Sequence, residues 1–141
     1  MKEYMQLAYN EALKAYKKGD VPIGAIIIKN NKVIAKSYNK KEKNNNAILH
    51  AELDVINKAC KKLKTWHLEE CTLYTTLEPC LMCMGAIVQS RINEIYYATK
   101  NNNFGEINII KKYNKQIKIN SGLLEKESSE LLKKFFQEKR K

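Results

Sequence analysis

Hydrophobic and polar positions in the first third of the chain predict a helix followed by a β-hairpin. Apolar residues recur at three- and four-residue spacing across residues 5–16, which is typical of an amphipathic helix, and Gly19 is a plausible stop. After Pro22, the β-branched run IGAIII predicts a strand, KNNK a two-residue turn, and VIAKSY the returning strand. The polar residues 40–46 predict a loop.

The middle of the chain alternates between helix and strand patterns. A second helix is predicted from about His50 to Lys64. CTLYTT (71–76) predicts a third strand, helical spacing resumes over 80–89, and INEIYYAT (92–99) holds a fourth strand. The residues expected on successive turns of the second helix, facing the same way, are Leu53, Ile56, Asn57 and Cys60.

The last 40 residues carry a weaker pattern that ends in a clear helix. KNNNFGEINIIKKYNK predicts a loop with a short helix, QIKIN a short strand, and GLLEKESSELLKKFFQEKRK an amphipathic helix. The element order predicts an α/β fold, with a central mixed sheet of about five strands flanked by helices, in a single domain over 1–141. The inward-facing residues of the last helix are expected to be Leu124, Ser128, Leu131, Leu132, Phe135 and Phe136.

Composition narrows the environment in which the protein is expected to work. The longest apolar runs fall far short of the ~20 residues that span a bilayer, and the first 20 residues carry charges throughout, unlike a signal peptide. We therefore expect a cytoplasmic protein without a membrane partner. In a reducing compartment, four cysteines favour metal binding or catalysis over disulfides.

The net charge of +11 allows two interpretations. A polyanionic partner such as a nucleic acid would bind so basic a chain. Lysine and asparagine are, however, abundant throughout, as a plain compositional bias would also produce. Residues 100–141 carry 11 Lys and Arg against 5 Asp and Glu, so the basic character is concentrated toward the end of the sequence.

Cys80 and Cys83 carry the spacing of metal ligands. At the opening turn of a helix, residues i and i+3 share a face, and the free amides and helix dipole there favour thiolates. Pro79 suits a helix start because its missing N–H would be unpaired there anyway. His50, at the predicted start of the second helix, completes a His–Cys–Cys set that suits Zn²⁺.

The number of ligands favours a catalytic site over a structural one. Structural zinc sites usually have four protein ligands, whereas catalytic sites keep three and leave a position for water. The other candidates, Cys60, Cys71 and His67, are better explained by packing or surface positions. With three ligands, zinc lowers the pKa of a bound water, and Glu52 lies two residues from His50, where it can take that proton.

Each half of this pattern alone is common, but the combination is narrow. A lone C-x-x-C also occurs in redox sites and zinc ribbons, and a lone H-x-E arises by chance. HAE (50–52) with PCLMC (79–83) resembles the signature of zinc-dependent nucleobase deaminases. Longer stretches, among them GDVPIGAIII, ACKKLKTWHLEECTLYTTLEPCLMCMGAIVQSRI and the C-terminal helix, resemble the bacterial tRNA-specific adenosine deaminases over nearly the whole chain.

This resemblance implies a three-layer α/β/α cytidine-deaminase-like fold, a homodimer, and hydrolytic conversion of the tRNA anticodon wobble adenosine (position 34) to inosine. One Zn²⁺ per chain would be held by His50, Cys80 and Cys83, with Glu52 as the proton shuttle. The positively charged surface would then contact the phosphates of an anticodon stem–loop.

The resemblance also implies residues that contact the substrate. Asn39 matches a position that contacts the target base, and the backbone around Ala51 and Glu78 should line the same pocket. Phe135 and Arg140 match a C-terminal helix near the RNA. From the residues alone, Asn39 is equally a turn residue at a strand end, VPIG (21–24) is a pocket edge or a buried strand start, and the phenylalanines are candidates for core packing.

The sequence departs from the family after the fourth strand. Family members commonly carry a longer Gly-rich loop with an acidic residue near its start, whereas this chain reads TKNNNFGEIN, with Asn101 roughly at the acidic position.

Two other functions remain open: a deaminase of a free base or nucleoside of the guanine or cytosine type, and a non-catalytic, zinc-stabilised RNA-binding module.

Overall fold

The computed structural model describes residues 1–42, 44–103 and 105–139. The order of its elements follows the predicted alternation, including the short helix and the late strand. Along the chain lie α1 (Lys2–Lys17), β1 (Gly24–Lys29), β2 (Lys32–Tyr38), α2 (Ala51–Leu63), β3 (Cys71–Leu77), α3 (Leu81–Ser90), β4 (Glu94–Thr99), a 3-10 helix (Ile107–Lys112), β5 (Lys118–Ser121) and α4 (Glu125–Lys139).

The five strands form one mixed sheet in the order β2-β1-β3-β4-β5. β1 runs antiparallel to β2 and to β3, whereas β3, β4 and β5 run parallel to one another. The predicted α/β fold with a mixed, five-stranded sheet is therefore confirmed.

Helices cover both faces of this sheet. Side chains of β1 alternate between the faces: Ala25 and Ile27 pack with α2 and α3, while Ile26 and Ile28 pack with α1. α4 lies beside α1, where the Phe135 ring contacts Tyr16. No helix within the described ranges is both long enough and apolar enough to cross a membrane.

The β1–β2 hairpin is closed by the predicted two-residue turn. Asn30 and Asn31 both have positive φ, 52° and 62°, as a type I′ turn requires, and asparagine tolerates that conformation better than most residues. The turn pairs Lys29 with Lys32, and a register shift between Ile27 and Ile28 then brings Gly24 opposite Tyr38, so that Asn39 lies directly beyond the end of β2.

Gly24 allows α1 to lie directly on the start of β1. A Cβ at this position would lie 2.0 Å from the carbonyl oxygen of Ala8 and 2.5 Å from the amide nitrogen of Ala12. Since neither backbone atom can move away without displacing the helix, only glycine fits here. This contact holds the helical layer against the end of the sheet that carries Asn39.

The candidate chemistry gathers at one edge of the sheet because parallel strands end on the same side. Leu77 at the end of β3 pairs with Thr99 at the end of β4, and the Glu78 amide donates to the Thr99 carbonyl at 2.8 Å. The segments that follow these two strands therefore start side by side, as in other sheets whose ligands bind at the carboxyl ends of strands.

Three details of the sequence prediction need correction. Asn57 is exposed on α2, because the stripe that faces the sheet is shifted to Ala51, Val55, Ile56 and Ala59. Phe136 does not face the core: its side chain is 48% exposed, one residue beyond the buried Phe135. Pro79 precedes the N-cap of α3, which is Cys80, so the helix starts later than expected.

Candidate metal centre and active site

His50 is the N-cap of α2, with an extended backbone (φ −77°, ψ 149°). Its side chain does not cap the helix. The first helical amide, that of Ala51, instead donates to Asn39 Oδ1 at 2.8 Å. Because Asn39 satisfies this helix end, the imidazole of His50 is left to face the cysteines.

Cys80 and Cys83 occupy the N-cap and the first turn of α3. The Met84 amide donates to the Cys80 carbonyl at 2.9 Å, which closes this turn and sets both sulfurs on one side. Their Sγ atoms lie 3.7 Å apart, and His50 Nδ1 lies 3.7 Å from Cys80 Sγ and 3.6 Å from Cys83 Sγ.

This triangle of donor atoms has the dimensions of a zinc site. A tetrahedral ion with Zn–S bonds of about 2.3 Å and Zn–N bonds of about 2.0 Å separates its ligand atoms by roughly 3.5 to 3.8 Å. One imidazole and two thiolates also make a donor set that zinc favours. The residues present therefore fit a zinc ion without rearrangement.

In the described part of the chain, no further His, Cys, Asp or Glu joins this cluster as a fourth ligand. His67 is exposed, pairs with Glu69 at 3.0 Å and stacks on Trp66. Cys71 is buried at the start of β3, and Cys60 packs against the core. The cluster is thus the three-residue arrangement that leaves a coordination position open, as in catalytic zinc sites.

The two cysteines differ in protonation without metal. A hydrogen bond with the Cys83 thiol, aided by His50, lowers the pKa of Cys80 to about 4. The same hydrogen bond and burial raise the pKa of Cys83, and the hydrogen bond to Cys80 raises the pKa of His50 above its usual value. At neutral pH, Cys80 is therefore a thiolate and Cys83 holds its proton.

Glu52 is buried beside this cluster and has an unpaired oxygen. The residue is only 2% exposed, and its Oε1 has no hydrogen-bond partner among the residues that the structure describes. Burial raises the pKa of Glu52 to about 7. A buried carboxylate oxygen normally has a partner, so this atom indicates a place for a water or substrate group.

Asn39 connects three segments that surround the cluster. Its amide donates to the Ile23 carbonyl at 3.1 Å, and its side-chain oxygen accepts from Ala51. The Ala51 amide is therefore already paired and is not available to a substrate. Asn39 is buried, and its side chain has a structural role at this helix end in addition to any contact with a base.

The Glu78 side chain has a function that the sequence did not reveal. Oε1 accepts from the Asn101 amide at 3.1 Å and Oε2 from the Ile107 amide at 2.8 Å. The sequence prediction concerned only the backbone of Glu78. Its nearness to Cys80 was visible in the sequence, but its partners depend on how the segment after β4 folds back.

The sequence predicts two substrate contacts near the C-terminus, Phe135 and Arg140. Phe135 is 6% exposed and packs edge-on against Tyr16, as expected for a phenylalanine that packs in the core. The solvent-facing phenylalanine of α4 is Phe136. Arg140 lies outside the described residues.

Known proteins resemble this chain in both sequence and fold. Residues 1–140 match the MafB19-like deaminase family. A tRNA-specific adenosine deaminase of Bacillus subtilis (strain 168) is 44% identical, covering 98% of this chain and 89% of the relative. One of Aquifex aeolicus (strain VF5) is 41% identical, covering 99% and 96%.

A solved structure, from work on A-to-I editing by tRNA:A34 deaminases at the wobble position of transfer RNA, has a TM-score of 0.87 and 36% identity, covering 94% of this chain and 100% of that chain. Family membership therefore rests on sequence, on fold and on the His50–Cys80–Cys83 triangle. The chain belongs to the tRNA-specific adenosine deaminases within the MafB19-like deaminase family.

Proposed function

We propose that this protein is a tRNA adenosine deaminase that converts the wobble adenosine at position 34 of an anticodon to inosine. The observation that carries the proposal is the buried Oε1 of Glu52, which has no partner in the described part of the chain and lies beside a triangle of three candidate metal donors. The near-full-length similarity to tRNA-specific adenosine deaminases supports the choice of substrate.

Hydrolytic deamination adds water to C6 of adenine and releases ammonia. A zinc ion, one per chain and held by His50, Cys80 and Cys83, would supply a water activated at neutral pH. Glu52, with a pKa of about 7, takes a proton from the attacking water and returns it to the departing amine. Asn39, held in place through Ala51, orients the base beside the site.

The surface near the site suits an RNA strand. A cleft of about 480 Å³ lies between the segment after β4 and α4, and its lining includes Lys100, Lys133 and Phe136. Lysines contact phosphates, and an exposed aromatic ring can stack on an unpaired base. In this proposal Phe136 takes the stacking role, because Phe135 is buried.

We take the chain as one catalytic domain that acts in the cytoplasm. Its tRNA substrate is found in that compartment, and reducing conditions there keep the two ligand cysteines as thiols or thiolates. The sheet that carries both ligand segments runs through the chain from β1 to β5.

The first prediction concerns the substrate. The zinc-loaded protein should form inosine from an anticodon stem–loop with adenosine at position 34, and should leave the same stem–loop with guanosine there unchanged. Free adenosine, guanine and cytosine should remain unchanged in parallel reactions analysed by chromatography. Deamination of a free base with an untouched stem–loop would refute the proposal.

The second prediction concerns Glu52. Glu52→Ala and the isosteric Glu52→Gln should lower kcat by about 10² to 10⁴, since both remove the group that moves the proton. Zinc measured by mass spectrometry should stay near one ion per chain, because Glu52 is not a ligand. A matched His50→Ala variant should lose both metal and turnover. Loss of zinc in Glu52→Gln would contradict the assigned role.

The third prediction concerns protons released by metal binding. Because Cys83 holds its proton near neutral pH and the hydrogen bond to Cys80 raises the pKa of His50, zinc binding must displace at least one proton. Zinc affinity should fall about tenfold per pH unit for each displaced proton as the pH is lowered. Titration calorimetry in buffers of different ionisation enthalpy measures the number of protons released on zinc binding. The same measurement on Glu52→Gln shows whether Glu52 releases one of them. Binding without proton release would contradict these protonation states.

We further propose that two copies form a homodimer through the face made by α3 and the 3-10 helix. Leu81 and Tyr113 are 67% and 73% exposed and flank an apolar cleft of about 300 Å³. The residues that line this cleft are all uncharged, in a chain with a net charge of +11. A second copy carries the same charge, so an uncharged apolar face is where repulsion is least.

The fourth prediction tests this face. Tyr113→Lys should shift the protein from dimer to monomer in light scattering across micromolar concentrations, since the lysine puts an unpaired charge into the contact. Glu130→Gln, on the exposed side of α4, changes the net charge equally and should leave the dimer intact. A wild-type monomer, or a dimer in both variants, would overturn the proposed interface.

A further inference from the structure

The segment after β4 folds back onto the turn that holds the metal ligands. We call residues 100–103 and 105–107 the β4 loop. Gly105 forms an isolated antiparallel bridge with Cys80, and its amide donates to the Asn101 carbonyl at 3.0 Å. The β4 loop therefore lies against the backbone of a candidate zinc ligand.

Both ends of the β4 loop are bound by one side chain. Asn101 near its start and Ile107 at its end donate their amides to the two carboxylate oxygens of Glu78. Glu78 is buried, so these two amides are partners of its carboxylate oxygens in a place that bulk water hardly reaches. A carboxylate suits the position because both of its oxygens accept hydrogen bonds, and a pair of charge-assisted bonds holds a loop more firmly than neutral ones.

Gly105 shows how closely the β4 loop approaches this carboxylate. A Cβ at residue 105 would lie 2.5 Å from Glu78 Oε1 and 2.7 Å from the Asn101 carbonyl oxygen. Only a residue without a side chain allows the loop to close over Glu78. The contact between the β4 loop and Glu78 therefore depends on two residues: Glu78 accepts the loop amides, and Gly105 allows the loop to approach closely enough to donate them.

The β4 loop also forms one wall of the cleft opposite α4. Lys100, Asn102 and Asn103 line the cleft on this side, facing Lys133, Phe136 and Gln137. The carboxylate that binds the loop amides therefore sets the distance between the two walls.

We propose that Glu78 is a positioning residue: its side chain fixes the β4 loop, and so shapes the cleft that receives the RNA beside the target base. This inference rests on the proposed function for the identity of the ligand. Glu78 is not among the three donor residues of the triangle, and both of its carboxylate oxygens accept amides of the β4 loop. It acts through the loop, so its loss should weaken the affinity for RNA and leave the rate of the chemical step nearly unchanged.

Glu78→Gln is the sharpest variant because it keeps the shape of the side chain. Its amide nitrogen cannot accept a hydrogen bond, so one of the two loop amides loses its partner. Glu78→Ala removes both bonds. Gly105→Ala leaves Glu78 intact but pushes the loop away from it, and therefore tests the same contact if a Glu78 variant does not fold.

The fifth prediction is tested by two measurements on the zinc-loaded protein. By NMR, the amide of Asn101 or Ile107 should exchange about tenfold faster in Glu78→Gln. With the stem–loop substrate, KM should rise about tenfold while kcat stays within about twofold and zinc stays at one per chain. Gly105→Ala should give the same split between KM and kcat.

Asp20 offers a matched control for the exchange measurement. Its buried carboxylate likewise accepts two amides, from Val21 and from Glu42, both at 2.9 Å, on the other side of the site. Asp20→Asn should speed exchange at Val21 or Glu42 and leave Asn101 and Ile107 unchanged.

Unchanged exchange at Asn101 and Ile107 in both Glu78 variants would overturn the inference, as would a fall in kcat at constant KM or a loss of zinc. These outcomes are distinct from failure of the proposed function, which is wild-type protein that leaves the stem–loop untouched. In that case, stem–loop affinity replaces KM as the second measurement, and equal affinity of wild type and Glu78→Gln would overturn the inference.

Discussion

The start of two helices at one edge of the sheet is the constraint on which the site depends. His50 and Cys80 are both N-cap residues. α3 begins shortly after the end of β3, and α2 begins beside Asn39, the residue directly beyond the end of β2. Donor atoms from segments 30 residues apart meet within 3.7 Å because the α2 and α3 starts are fixed on the same side of β3. The free amides at such helix ends also favour the thiolate that a metal needs.

The buried polar side chains around the site are of two kinds: three accept hydrogen bonds from backbone amides of loops, and Glu52 is of a different kind. Asn39, Asp20 and Glu78 each accept hydrogen bonds from backbone amides of segments around the site. Burying such groups without partners is costly, so their paired state fixes the loops in one arrangement. Glu52 alone among the four has an oxygen without a partner in the described residues, and this difference separates the carboxyl proposed to move the proton from the three side chains that hold loops.

Local patterns allowed the His50–Cys80–Cys83 cluster to be predicted from the sequence, whereas the substrate contacts were expected only from the family resemblance. The i, i+3 spacing of Cys80 and Cys83 is a property of one helical turn, and the alternation of helices and strands predicted the sheet. The structure adds what long-range register decides. The partners of Glu78 belong to a segment without periodicity, and the choice between Phe135 and Phe136 depends on where α4 lies against α1. A one-residue shift along the helix exchanges a buried ring for an exposed one.

The adjacency of Glu78 to Cys80 has a consequence for how the family can diversify. Glu78, which binds the β4 loop, and Cys80, a donor of the candidate metal triangle, belong to one short stretch but contact different parts of the molecule. A change in the number of residues between the two bound ends of the loop would therefore leave the cysteines in their places. Recognition of different RNAs can evolve by changes in loop length without re-evolving the reaction.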